Sequence, residues 1–156
     1  MEVMMIAGVL CLLTLSVIFD EKKGKIPNVL TATGLAAGLF YHLYRAGPPG
    51  LLLSLKSTFL IWLVTFLLYL IRALRGGDSK LLAALAAILG IQGGMTIVIL
   101  SLFYGGVLGV LKILATRNLR TQILILRSAP KNYQFTTIHY SVAILLATIQ
   151  YLEGWY

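Results

Sequence analysis

The strongest constraint on how this chain can fold is a series of apolar runs, each close to the roughly 20 residues that a helix needs to cross a bilayer. They cover residues 2–19, 28–44, 51–74, 79 to about 90–94, 95–114 and 138–155. The first could be taken for a secretory signal. It has Glu2 where a basic flank belongs and no small-residue cleavage pattern before Asp20, so it reads as a retained helix. The turn-forming AGPPG separates the second run from the third, and Gly90 to Gly94 separate the fourth from the fifth. No internal repeat, low-complexity linker or second domain is apparent. The expected fold is all-α: a polytopic membrane protein with six transmembrane helices, forming a single domain over 1–156.

Composition agrees and narrows the function classes. Hydrophobic residues make up 59% of the chain and charged ones 12%, with a mean hydropathy of +0.91. The lipid bilayer is therefore the expected surround. A formal charge of +8 would suggest nucleic acid in a soluble protein. Here the basic residues gather between apolar runs, where orientation in the membrane accounts for them, and no nucleic-acid partner is expected. The one cysteine, Cys11, excludes a disulfide framework or a cysteine zinc site within the chain.

Lys and Arg counts give the orientation. Eleven of the 13 basic residues lie in or beside the first, third and fifth connections, and only Arg45 and Lys56 flank the second. The odd connections then face the cytoplasm and both termini lie outside, which makes the expected location a prokaryotic inner membrane crossed several times. Against that background two of the five acidic residues stand out, Asp20 in FDEKKGKIPN and Asp78 in RGGDSKLL. Both fall at cytoplasmic ends of apolar runs. The fourth and fifth runs share only the 34 residues from Leu81 to Leu114. If the fourth reaches the outer boundary near Gly90, Asp78 lies about 18 Å below it along the helix, inside a membrane core about 30 Å thick. A carboxylate at that depth is expensive and is read as functional by default.

The neighbours are read in the same way. Gly76 and Gly77 permit unusual backbone angles and close approach before Asp78. Asp78 and Ser79 are both candidate N-caps. Pro27 and Asn28 mark the start of the second helix, and Asn28 has a side chain for orphan backbone groups or a substrate. Lys80 either stabilises negative charge near Asp78 or snorkels to the surface, and snorkelling is favoured. Glu21 is the rival carboxylate to Asp20 and is expected at the solvated loop edge. His42 and His139 fall at opposite ends of the bundle, so no metal site and no cofactor are expected. Ser101 and Ser141 lack base and acid partners, and are expected to join helices by hydrogen bonds.

Taken together, FDEKKGKIPN over 19–28 and GGDSKLLAA over 76–84 resemble the two signature segments of type IV prepilin peptidases, membrane aspartyl proteases of the GxGD kind. Arg75 stands at the first glycine of that motif. A looser likeness joins IHYSVAI over 138–144 to a Pro-Tyr-Gly segment opening the family's last helix, with His139 and Ser141 in place of Pro and Gly. Larger members carry a cysteine-containing segment linked to N-methylation, for which this sequence has no room. The resemblance therefore implies the compact, Flp (tight-adherence) branch, with archaeal preflagellin peptidases nearby.

Several expectations follow from the resemblance. The substrate is a prepilin or prepilin-like protein with a short basic leader, cut at the cytoplasmic face. Asp20 and Asp78 are the catalytic pair, holding a water between them, with one carboxylate as general base and the other protonated toward the scissile carbonyl. Pro27, Asn28, Gly76, Gly77 and Lys80 shape the site. The alternatives are a noncatalytic subunit of a pilus or secretion machine and a small proton-coupled transporter. The fifth connection, ATRNLRTQILILRSAPKNYQF, with Arg120 and Arg127, reads as a membrane-surface segment ahead of a flap over the site.

Overall fold

The computed structural model describes residues 3–115 and 140–154. They form four helices, α1 (Val3–Lys23), α2 (Asn28–Leu70), α3 (Gly76–Ala115) and α4 (Tyr140–Glu153), and no strand occurs among the described residues. The fifth connection with Arg120 and Arg127, and His139, lie outside the described residues.

Two of the helices are hairpins in disguise. Gly47 has φ 63° and ψ −153°, and Gly90 has φ 77° and ψ −177°, backbone angles that only glycine adopts without strain. In one straight helix Asn28 and Trp62 would lie about 50 Å apart. Both line the same cleft of about 290 Å³, with Thr31, Leu35, Thr58 and Lys80, so α2 doubles back at Gly47. Likewise, a Cβ on Gly94 would meet Ala86 Cβ at 2.8 Å, which requires α3 to reverse at Gly90. Four helices appear where six apolar runs were expected because the chain stays helical on either side of one reversed residue. Helices α2 and α3 are each long and apolar enough to cross a membrane (Asn28–Leu70 and Gly76–Lys112).

The first limb of α3 is the axis of the molecule. Every residue from Leu81 to Ile88 is buried, the pattern of a helix packed on all sides. Its alanines let neighbouring backbones approach. Gly38 of α2 lies so close that a Cβ there would be 2.7 Å from the Ala87 carbonyl carbon, and Gly34, one turn earlier, faces Leu12 and Ala84. This is small-residue packing of the kind membrane helices use. The outer surface is the inverse: Phe40 is 70% exposed and Phe103 66%, while Ser16, Ser57, Thr65 and Thr148 are buried. Those hydroxyls donate to carbonyls four residues earlier in their own helices, which satisfies them where water is absent.

The Gly90 reversal leaves the last carbonyls of the first α3 limb without helical acceptor duty. Ser54 Oγ donates to Ala87 O at 2.7 Å, and His42 Nε2 meets Ile88 O at 3.1 Å. His42 is thus a helix-end partner, in keeping with a packing role. Ser54→Ala orphans a buried acceptor, and should lower unfolding stability in detergent by about 1 kcal/mol, measured by thermal or denaturant melting.

Candidate active site

Asp20 reaches the interior because of where it sits on α1. Val9, Leu12, Leu13, Ser16 and Asp20 are the buried stripe of that helix, at helical spacing. The apolar run ends at Phe19, yet α1 continues one turn further to Lys23, so Asp20 lies within the last turn instead of closing the helix. Gly24, at φ 61°, ends it, and its N–H donates to Asp20 O at 2.8 Å. This is the left-handed glycine cap, and it fixes the Asp20 backbone.

A second cap fixes Asp78. After α2, Arg72 takes a left-handed conformation (φ 62°), and the N–H groups of Arg72 and Ala73 donate to Tyr69 and Leu68. These two bonds form a Schellman closure with a residue other than glycine at its left-handed position. Three residues later Ser79 N donates to Arg75 O at 3.1 Å, making Arg75 the N-cap of α3. The expectation of Asp78 or Ser79 as N-cap is therefore corrected. Asp78 is the third helical residue and its carboxylate accepts from the Arg75 backbone N–H, the returning half of a capping box. Ser79 Oγ instead donates to Thr65 Oγ1 of α2 at 2.8 Å.

Helix α4 supplies the third side. Ser141, in its first turn, donates to Asp20 Oδ2 at 2.8 Å across 121 positions of sequence. Tyr140 beside it pairs its hydroxyl with Ser101 Oγ at 3.0 Å, and its ring takes the space that a Cβ on Gly105 would need. Tyr104 donates to Gln150 Oε1 at 2.8 Å further along the same helix pair.

Both carboxylates are shut away from solvent, Asp20 at 3% exposure and Asp78 at 2%, and the two interact electrostatically. Arg75 Nη1 lies 3.8 Å from Asp20 Oδ1, and the same guanidinium acts on Asp78. Asp78 Oδ2 and Arg75 Nη1 are buried without a hydrogen-bond partner among the described residues. An acid pair, a hydroxyl and a cation gathered in a buried cluster can move protons and hold a developing negative charge.

A model of the type IV leader peptidase family matches residues 6–110, well over half of the chain. The chain belongs to that family. No curated protein and no solved structure matches it. The leader peptidase match spans both aspartates and stops before α4, so Tyr140 and Ser141 enter the site from outside the matched segment.

The remaining expected site residues divide. Pro27 is the N-cap of α2, with φ −62° and ψ 134°, and its carbonyl accepts from Leu30 and Thr31. Asn28 opens α2 and accepts from Lys80 Nζ at 2.9 Å, tying the start of α2 to the start of α3. Lys80 is exposed, with its ammonium held on Asn28. Gly76 and Gly77 are corrected: neither has a positive φ, and a Cβ on either would make only ordinary contacts, 3.7 Å to Tyr69 and 3.5 Å to Ile26. Ile26, 9% exposed, packs on Gly77 and brings the two signature segments together. Glu21 is exposed, which leaves Asp20 as the inward carboxylate of that pair. Sequence reading expected Ser141 to join helices by hydrogen bonds, as its bond from α4 to α1 does. It expected no acid partner there, which Asp20 corrects, and it assigned the Arg75 side chain no role. The first glycine position of the GxGD pattern, occupied by Arg75, was the one visible signal for that side chain.

Proposed function

We propose that this protein is an aspartyl endopeptidase of the prokaryotic inner membrane that removes the basic leader of an Flp-like type IV prepilin at the cytoplasmic face. One observation carries the reading. Two carboxylates from separate segments of a leader peptidase chain are buried within electrostatic reach of each other. Asp20 and Asp78 hold the attacking water. One takes its proton, and the other, protonated, polarises the scissile carbonyl; two like charges this close cannot both ionise cheaply. The chemistry requires no metal or cofactor.

The membrane setting rests on the apolar exterior and the two long apolar helices. Counting the limbs on either side of Gly47 and Gly90 separately gives six rods among the described residues, which we read as six crossings of one domain with both termini outside. The basic connections then put the dyad on the cytoplasmic side. A prepilin brings its own hydrophobic helix, so it enters laterally from the bilayer.

Ser141 holds Asp20 in place by its hydrogen bond. Ser141→Ala should lower kcat about tenfold while leaving the helical content unchanged, and steady-state kinetics on a cleaved prepilin checks this. The reading as a whole is tested by incubating the detergent-solubilised protein with candidate prepilins and following leader removal by mass. Intact substrate throughout, with folded protein, would reject it.

A further inference from the structure

The site contains two buried polar atoms of opposite kind that have no hydrogen-bond partner among the described residues: Arg75 Nη1, a donor, and Asp78 Oδ2, an acceptor. Buried polar atoms are nearly always paired, so two orphans three residues apart at one helix start need a reason. A structural arginine–carboxylate pair would close to about 2.8 Å and use two parallel bonds. Here Nη1 stands 3.8 Å from Asp20 Oδ1, inside ion-pair range but beyond hydrogen-bond length. The arginine side chain is 40% exposed overall, while Nη1 itself is buried beside the carboxylates. Its Cα is fixed as the N-cap of α3, three residues before Asp78. A peptide unit offers what these orphans lack: its carbonyl oxygen accepts from Nη1–H, and the attacking water or the leaving nitrogen donates to Oδ2.

We propose that Arg75 is a catalytic residue of this protein, donating from Nη1 to the scissile carbonyl oxygen and stabilising the oxyanion as water adds. The inference rests on the peptidase reading above. In the step, the water oxygen bonds to the carbonyl carbon and the ionised carboxylate of the dyad takes a water proton. The carbonyl pair moves onto oxygen, where the Arg75 N–H and the proton of the other carboxyl receive it. Collapse restores the carbonyl, breaks the C–N bond and passes a proton from the dyad to the leaving amine. Arginine suits the role because it stays protonated and donates at every stage. A glycine at this position, as in the GxGD pattern, provides no side-chain donor.

The test compares the full-length parent with Arg75→Met, Arg75→Lys, Asp20→Asn and Asp78→Asn on a prepilin that the parent cleaves. Arg75→Met should lower kcat about 10²- to 10³-fold, the loss typical of one oxyanion donor, and change KM by less than about threefold. Arg75→Lys should recover at least about tenfold of that loss, since it returns a charged donor. If Arg75→Met lacks the parent's helical circular dichroism, Arg75→Gln replaces it, with an expected kcat loss of about tenfold. A neutral variant turning over at the parent's rate or faster would overturn the proposal, as would a loss confined to KM or a lysine variant no better than methionine. Inactive aspartate variants beside an unimpaired Arg75→Met would reject Arg75 alone, whereas aspartate variants that keep turning over would reject the dyad and this inference with it.

Discussion

Asp20→Asn and Asp78→Asn are each expected to lower leader cleavage about 10³- to 10⁴-fold, the upper range for loss of a positioned acid or base. Asparagine keeps the volume of aspartate and an oxygen that can accept from Ser141 at position 20 or from the Arg75 backbone N–H at position 78. The helices should therefore persist, and circular dichroism in detergent should match the parent. What asparagine cannot do is take a proton from water or return one to an amine. The loss should fall on kcat, because neither carboxylate is exposed enough to contribute broad binding surface. A subunit that only scaffolds a pilus machine would tolerate both changes.

The second large effect concerns the packing that builds the site. Gly38→Ala puts one methyl group 2.7 Å from the Ala87 carbonyl carbon and 2.8 Å from Ile88 N, both backbone atoms of the central limb. Backbone cannot turn aside as a side chain can, so the first limb of α2 must move away from α3. We expect a loss of about 2 to 3 kcal/mol, enough to outweigh the gain of about 1 kcal/mol in helix propensity on replacing glycine. Gly106→Ala is the matched control. It too sits in a helix, but nothing lies within 4 Å of a Cβ there, and it should stabilise the protein by about 0.5 to 1 kcal/mol. Thermal melting in one detergent compares the two directly. If Gly38→Ala also stabilises, the close approach of α2 to the central limb is wrong.

The sequence announced some of this architecture and withheld the rest for physical reasons. Reversals at Gly47 and Gly90 were legible because turn chemistry is local: AGPPG and the Gly90 to Gly94 stretch carry their own backbone preferences. Asp78 was expected inside the bundle rather than on a loop tip, and it is buried. Helix ends were harder to place. Asp20 and Ser79 are both one turn inside their helices, since charged and polar residues continue a helix wherever a cap further along closes it. Gly76 and Gly77 permit unusual angles but do not take them, because glycine tolerates ordinary angles as readily as unusual ones. The Ser141–Asp20 bond was out of reach altogether. It joins residues 121 positions apart, and only the packing of α4 against α1 and α3 brings them together.

Turnover of the double variant Asp20→Asn/Asp78→Asn beside the two single variants tests the central claim, that the two carboxylates work as one unit on one water. Groups that act as a unit are lost together, so the double variant should be no more than about threefold slower than either single. Losses that multiply, or substantial turnover by either single variant, would contradict the account.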